Sequence, residues 1–219
     1  KKKEYSKDSN ELMKNPFLRF HANYSLSHID LATANTYSLA ADLSSVVELK
    51  NKKILCLGSR NLDEIFQLQL LGATLSNIKA VDLYSDIPEI LAMDFQDLKF
   101  ENSSFDIIFW AGSYAYAEDP MLALSEAFRV LRPSGIFALA DTFLGDATNA
   151  SYNKDYSKYM SENIKESLNE LPEGTTLTKG VGSLEEIQER VKEFGIEKFL
   201  LIRDYVVSPN YHIIAKNKK

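Results

Sequence analysis

The chain has 219 residues, of which 45% are hydrophobic and 26% are charged, and its formal net charge is −6. This length suits one domain with a substantial core and leaves room for a small cap. The acidic balance argues against a nucleic-acid partner, because such proteins usually carry a basic surface. A single cysteine, Cys56, excludes an intrachain disulfide, and the sequence shows neither a signal peptide nor an apolar run of membrane-spanning length. We therefore expect a cytoplasmic protein, a monomer or homodimer, with no membrane or nucleic-acid partner and no metal.

Residues 1–50 are predicted to form an N-terminal arm followed by a helix. The arm is polar with scattered aromatic side chains, and the helix is expected over 33–49 because apolar residues recur there at helical spacing. The second predicted unit is an α/β domain over 51–219.

Short apolar runs alternate with amphipathic stretches in the first half of this domain, which is typical of a parallel sheet with helices on both faces. Helices are predicted at 61–71 and 119–131, and a turn is predicted at 133–135. Only 84–89 separate the second strand from the third, so a helix between these two strands is nearly absent. The five predicted strands are 53–57, 77–83, 90–93, 105–110 and 136–140.

The segment 142–180 interrupts the alternation, since it is polar and rich in Asn, Lys, Glu and Tyr. We expect it to form a small helical cap at the edge of the sheet. A further helix begins at Ser183, which has an acid three residues later in capping-box spacing. The last two strands, 198–207 and 211–215, are joined so closely that they must be antiparallel. The expected fold is an α/β protein with a mostly parallel seven-stranded sheet and a terminal antiparallel hairpin.

Ligands of open α/β sheets bind beyond the carboxyl ends of the strands, where the strand order reverses. Gly58, Ser59 and Arg60 follow the first strand, and a glycine with free backbone N–H groups at a helix start suits an anionic ligand group. Asp82 ends the second strand, where a carboxylate can accept hydrogen bonds from ribose hydroxyls. Asp94 follows the third strand, within reach of an adenine amino group. Three of these residues have a structural alternative. Gly58 can be an ordinary loop glycine, Asp82 can cap the end of a strand, and Asp94 can cap a turn.

The stretch 54–141 resembles the class I S-adenosylmethionine-dependent methyltransferases, particularly the group with the methyltransferase type 11 pattern. The resemblance implies a Rossmann-like methyltransferase fold, S-adenosylmethionine as cofactor and S-adenosylhomocysteine as product. The pieces that carry it are ILCLGSRN, AVDLYS, AMDFQDLKFENSSFDIIFWAGSYAYAEDP and EAFRVLRPSGIFALAD.

The resemblance also implies which residues hold the cofactor. Gly58 and its neighbours wrap the methionine part, Asp82 binds the ribose, and Asp94 with Phe95 frames the adenine. Trp110, Ala111 and Gly112 lie under the sulfonium. The complete set implied by the resemblance is Gly58, Ser59, Arg60, Asp82, Leu83, Asp94, Phe95, Trp110 and Ala111.

The chain departs from the family in two places. The usual Gly-x-Gly-x-Gly loop is here Gly58 followed by bulkier residues, which motivates the alternative of a non-catalytic or regulatory protein with weakened cofactor binding. A histidine base after the fourth strand is excluded, because Gly112 and Tyr116 stand at the matching places.

The function we expect is methyl transfer to an oxygen or nitrogen atom of a small molecule. Relatives with an altered first loop suggest a carbohydrate-linked acceptor or a surface-polysaccharide precursor, by analogy. A neutral oxygen nucleophile needs a base, whereas an anionic one does not. The candidate catalytic residues are Tyr114, Asp141 and, from the arm, His21.

Overall fold

The computed structural model describes residues 29–85, 87–114, 117–142, 184–204 and 210–218. One 3-10 turn, Leu75–Asn77, precedes the second strand. The elements in chain order are α1 (Ile29–Val46), β1 (Ile54–Leu57), α2 (Asp63–Leu70), β2 (Ile78–Asp82), β3 (Ile90–Ala92), β4 (Phe105–Ala111), α3 (Pro120–Val130), β5 (Leu131–Thr142), α4 (Leu184–Glu193), β6 (Ile196–Asp204) and β7 (Asn210–Asn217).

All seven strands belong to one sheet, in the order β3-β2-β1-β4-β5-β7-β6. The ladders from β3 to β5 are parallel, and β7 runs antiparallel to both β5 and β6. This confirms the predicted mostly parallel sheet with a terminal antiparallel hairpin. The chain builds outward from β1 to β3 and then returns to place β4 on the other side of β1. The carboxyl ends of β1 and β4 therefore form the switch point where a ligand is expected.

Two apolar layers cover the sheet, which explains the uninterrupted hydrophobic strands. All four residues of β1 are buried, and successive residues point to opposite faces. Ile54 and Cys56 pack in the layer of α1 and α2, whereas Leu55 and Leu57 pack in the layer of α3 and α4. The helices contribute Leu39, Leu43, Ile65 and Leu68 to the first layer and Leu124, Phe128, Ile187 and Val191 to the second.

Helix α3 begins where its sequence provides both a cap and a proline. The Asp119 carboxylate accepts hydrogen bonds from the backbone N–H groups of Met121 and Leu122, each at 3.0 Å, and Pro120 takes the first helical position. The helix lies within one residue of its predicted range, because its start signal is local.

The predicted turn at 133–135 is wrong, because these residues lie inside β5. The ladder with β4 pairs Phe105 with Leu131 and then Ile107 with Ile136, so the intervening residues bulge out of the sheet. Ser134 there has a φ of 59°. The pairing with β4 resumes after the bulge. The residues at 133–135, whose types are typical of turns, here mark the irregular start of a strand.

A buried carboxylate anchors the bulge. Asp106 forms an ion pair with Arg132 and accepts a 2.7 Å hydrogen bond from the backbone N–H of Lys53. Asn217 of β7 donates to the Arg132 carbonyl at 3.2 Å. These tertiary contacts hold an irregular start that no local pattern predicts.

Several boundaries also differ from the prediction. Helix α1 begins four residues earlier and ends three residues earlier than expected, and β7 extends beyond the predicted 211–215 at both ends. The first half of the arm unit, the proposed cap and Ser183 lie outside the described residues. Within the described ranges, no helix is long and apolar enough to cross a membrane.

Candidate cofactor and acceptor site

The loop after β1 is held so closely that only glycine fits its first position. Gly58 has a φ of +73°, and a Cβ atom there would overlap the side chain of Ser113. The backbone N–H groups of Gly58 and Ser59 both donate to the carbonyl of Val81, at 2.8 and 2.9 Å. The loop is thus joined to the end of β2, which places it at the switch point of the sheet.

An aromatic row lies next to this loop, beneath the segment that follows β4. The indole Nε1 of Trp110 donates to Ser113 Oγ at 2.8 Å, and this hydroxyl donates to the carbonyl of Leu57 at 3.0 Å. The Trp110 ring lies 5.0 Å from the rings of both Phe95 and Tyr114, measured between centroids. The row connects the side of the site near β3 with the end of β5.

The residues expected under the sulfonium divide into buried and accessible ones. Trp110 is fully buried and supports the segment from below, whereas Ala111 and Gly112 are partly exposed. The Gly112 N–H donates to the carbonyl of Ala140 at 2.7 Å, which ties the segment to β5.

Asp82 ends β2 with its carboxylate almost completely buried. Tyr84 donates a backbone hydrogen bond to Asp82 Oδ1 at 3.1 Å, and the Asp82 carbonyl accepts from Met93 N–H at 2.8 Å. Burial raises the pKa of the Asp82 carboxyl, and the charge of Arg60 partly offsets this effect. Arg60 therefore acts on the expected ribose site, and Leu83 beside it is half-buried.

Asp94 closes a turn with its own side chain, and its expected contact with adenine stays a prediction. Its Oδ1 accepts a 2.8 Å hydrogen bond from the Gln96 backbone N–H, in a turn after β3. Gln96 Oε1 in turn accepts from the backbone N–H of Asp119 at 2.6 Å, which links this turn to the start of α3. Phe95 lies between the turn and Trp110, so the structure brings Asp94 and Phe95 to the same edge as Asp82.

Glu64 is a residue of this site that the sequence analysis missed. It lies in the first turn of α2, is 5% exposed, and accepts a hydrogen bond from the hydroxyl of Ser59, itself 1% exposed. Burial raises the Glu64 pKa to about 8; the Ser59 bond opposes this rise, and the charges of Asp82 and Asp63 add to it. The available signal was its place on the buried stripe of α2, beside Ile65 and four residues before Leu68.

A second polar cluster lies at the carboxyl end of β5. Asp141 is 2% exposed and stands opposite Tyr211 of β7 in the ladder. Tyr114 is buried nearby, and burial raises its pKa while a hydrogen bond with Arg190 of α4 opposes the rise. The charge of Asp141 raises the pKa of both tyrosines further. Asp141 therefore lies close to two tyrosines that stay protonated at neutral pH.

The structure brings Tyr114 and Asp141 together, as their predicted role requires. Tyr211 and Arg190 complete the cluster, although the sequence analysis had not selected either one. His21 lies outside the described residues. In the part of the chain that the structure describes, no group of three or more His, Cys, Asp or Glu side chains could hold a metal ion.

Comparison with known proteins shows which proteins the chain is similar to. Residues 60–139 match the family model described as a methyltransferase domain. A stretch of 111 residues is 25% identical to the sterol 24-C-methyltransferase of Aspergillus fumigatus and covers 51% of this chain. The match spans only 26%, about a quarter, of that longer protein.

Solved structures with this fold are similar over nearly the whole chain. An S-adenosylmethionine-dependent methyltransferase of Thermotoga maritima has a TM-score of 0.58 at 16% identity, covering 95% of this chain and 99% of that one. A Listeria monocytogenes protein assigned to the same enzyme class has a TM-score of 0.61 at 13% identity, covering 85% and 99%. At these identities the likeness establishes the fold.

Proposed function

We infer that the chain is a class I S-adenosylmethionine-dependent methyltransferase and that S-adenosylmethionine is its cofactor. We propose that it transfers the methyl group to an oxygen or nitrogen atom of a small molecule. The observation that carries this proposal is the buried cluster of Tyr114, Asp141 and Tyr211, which adjoins the aromatic row of the cofactor site. A hydroxyl or amine acceptor can donate to the carboxylate and accept from a tyrosine.

The residues at the switch point fit this cofactor chemically. Asp82 offers a buried carboxylate for two vicinal hydroxyls, and Gly58 lets the backbone approach a ligand closely. Asp94 and Phe95 offer an acceptor and a ring face at the adenine side. We assign the ribose to Asp82 with Leu83, the adenine to Asp94 with Phe95, and the methionine part to the loop 58–60. Ala111, the partly exposed last residue of β4 next to the buried Trp110, is assigned to the sulfonium.

The cofactor supplies an activated methyl group on a sulfonium, so the protein has to orient the acceptor and, for a neutral nucleophile, remove a proton. Asp141 is our candidate for the proton acceptor, because its buried carboxylate lies at the end of β5 near the side chains of Tyr114 and Tyr211. Tyr114 is assigned to hold the acceptor as a hydrogen-bond donor, because burial keeps its hydroxyl protonated. His21 remains a third candidate from the arm.

A carbohydrate-linked acceptor, such as a surface-polysaccharide precursor, is our preferred substrate class. A buried carboxylate next to tyrosine hydroxyls suits a molecule with several hydroxyl groups, since aromatic and acidic groups together recognise polar rings. The polar composition of 142–180 is the sequence-based reason to expect an acceptor of small-molecule size. Labelled S-adenosylmethionine offered with sugar nucleotides and with free amines tests this class; transfer only to amines would contradict it.

A ligand panel tests the cofactor assignment directly. We expect the melting temperature to rise with S-adenosylmethionine and S-adenosylhomocysteine but not with NAD, because only the sulfur nucleosides match the site. Asp82→Ala should abolish the rise, since it removes the ribose acceptor. The matched control is Asp97→Ala, an acid whose side chain is 51% exposed and pairs with Lys99 at the surface. If Asp82→Ala retains the full shift, the ribose placement is wrong.

The second candidate function is a non-catalytic relative with weakened cofactor binding. It is favoured by one specific observation: the positions after Gly58 carry Ser59, engaged with Glu64, and Arg60, whose charge acts on Asp82. A protein that folds normally but shows no shift with either sulfur nucleoside would support this candidate over the enzyme.

A further inference from the structure

Glu64 is a buried acid whose position the expected roles of the site do not explain. Its carboxyl is 5% exposed, and Ser59, the residue directly after Gly58, donates to one of its oxygens. The group faces Cys56 of β1 and Asp82 of β2, because each of these groups interacts electrostatically with it. Glu64 is therefore bonded to the loop after β1 and lies near the carboxylate at the end of β2.

A structural role alone does not require an acid at this position. A buried carboxyl held by one neutral hydroxyl destabilises a protein in its charged form, whereas glutamine would accept the same Ser59 bond without that cost. The charges that act on Glu64 come from Asp82 and Asp63, and both are negative. Across the described residues, no cationic side chain contributes to its pKa. Asp82 and the ionised form of Glu64 would therefore present two negative charges next to the ligand loop, with no protein counter-charge on Glu64.

We propose that Glu64 binds the α-ammonium group of the cofactor's methionine part. The inference rests on the proposed function, in which the loop 58–60 wraps that part of the ligand. The cation would supply the counter-charge that the surroundings of Glu64 lack, and Ser59 would hold the carboxylate oriented toward it. Asp82 is left for the ribose, so the two acids divide the two polar ends of the cofactor.

This role couples cofactor binding to a proton. The Glu64 pKa of about 8 means that the free protein carries a largely protonated carboxyl at pH 7. Bound ammonium favours the ionised form, so the proton leaves Glu64 for the buffer when the ligand binds. We expect release of nearly one proton per cofactor at pH 7. The affinity should rise as pH approaches about 8 and fall at higher pH, because the ligand's α-ammonium group then loses its own proton. The groups that act on the Glu64 carboxyl or are acted on by it are Cys56, Ser59, Asp63 and Asp82.

Calorimetric titration with two ligands tests the assignment. S-adenosylhomocysteine carries the amino-acid end, whereas 5′-methylthioadenosine lacks it and retains the adenine and ribose. Glu64→Gln should weaken S-adenosylhomocysteine binding at least about tenfold, the loss expected for a charge-assisted hydrogen bond, and leave the methylthioadenosine Kd within about twofold. Asp63→Asn is the matched control, because it removes a negative charge from the same helical turn and should leave both Kd values nearly unchanged.

Proton release by the unmodified protein provides a test that needs no variant. Titrating S-adenosylhomocysteine in two buffers of different ionisation enthalpy gives the number of protons released, and Glu64→Gln should bring it close to zero. The role of Glu64 would be overturned if Glu64→Gln leaves both Kd values unchanged, or if it raises both by the same factor. Absence of proton release by the unmodified protein at pH 7 would overturn it as well. If the unmodified protein binds neither ligand, the proposed function itself fails, which is a separate result.

Discussion

Two glycines of similar backbone conformation have very different surroundings. Gly58 and Gly72 both have positive φ, at +73° and +101°. A Cβ atom at Gly58 would overlap Ser113, whereas one at Gly72 would meet nothing within 4 Å. Of these two glycines, only Gly58 is required both by its backbone conformation and by close packing.

Alanine at each position separates these two effects. We expect Gly58→Ala to lower the free energy of unfolding by about 3 kcal/mol, because the chain is strained and Ser113 must move. It should also abolish the melting shift with S-adenosylhomocysteine. Gly72→Ala has only the conformational cost, about 1 kcal/mol, and should bind normally. Chemical denaturation with and without ligand measures both, and equal behaviour of the two variants would contradict the packing account.

Buried polar side chains join helix α1 to strand β7. The Nδ1 of His212 on β7 lies 2.7 Å from Asp42 Oδ2, and its Nε2 lies 3.3 Å from Ser38 Oγ. The residue types are those of a hydrolytic triad. Ser38, however, lies inside an 18-residue helix, where the backbone N–H groups are engaged in helical hydrogen bonds and offer no oxyanion site. These three side chains therefore have a structural role, which is to link α1 to β7.

Removing His212 should loosen α1 without changing the rest of the fold. His212→Ala leaves a buried carboxylate and hydroxyl without their shared partner, and we expect a loss of about 2 to 4 kcal/mol. Amide hydrogen exchange should rise in α1 and remain unchanged in α3, which packs on the opposite face. Uniform acceleration across both helices would indicate a global effect and contradict a local link.

At the scale of the whole molecule, buried acids set how stability depends on pH. The Glu64 pKa is raised from 4.5 to about 8, so the folded protein binds more protons than the unfolded chain between these values. Stability should therefore fall as pH rises from 4.5 through 8. Burial also raises the pKa of Asp82, from an ordinary value of 3.8, so Asp82 contributes in the same direction. Glu126 opposes them at low pH, because Arg129 lowers its pKa and its contribution is lost as pH falls.

A melting series across pH measures this balance. We expect the melting temperature of the ligand-free protein to fall by about 5 °C or more between pH 5 and pH 8. Glu64→Gln should flatten that fall, because glutamine does not titrate. An unchanged slope in this variant would show that Glu64 is not the group responsible.

By itself, the sequence determined the order of the elements and the edge of the sheet where the ligand residues meet. Alternating apolar runs predict strands buried on both faces, and residues that follow parallel strands must lie at one edge, as Gly58, Asp82 and Asp94 do. The resemblance to a family also predicted the cofactor, because the loop after β1 and the block 100–135 are each continuous stretches of sequence.

Only the tertiary structure decided how distant side chains combine. The irregular start of β5 depends on Asp106 meeting Arg132, and the link of α1 depends on partners 170 residues apart. Glu64 joined the site only when Ser59 and the end of β2 were brought beside it. The physical reason is that burial and charge, which set each acid's pKa, depend on neighbours supplied by other elements, whereas strand and helix patterns depend on residues close in sequence.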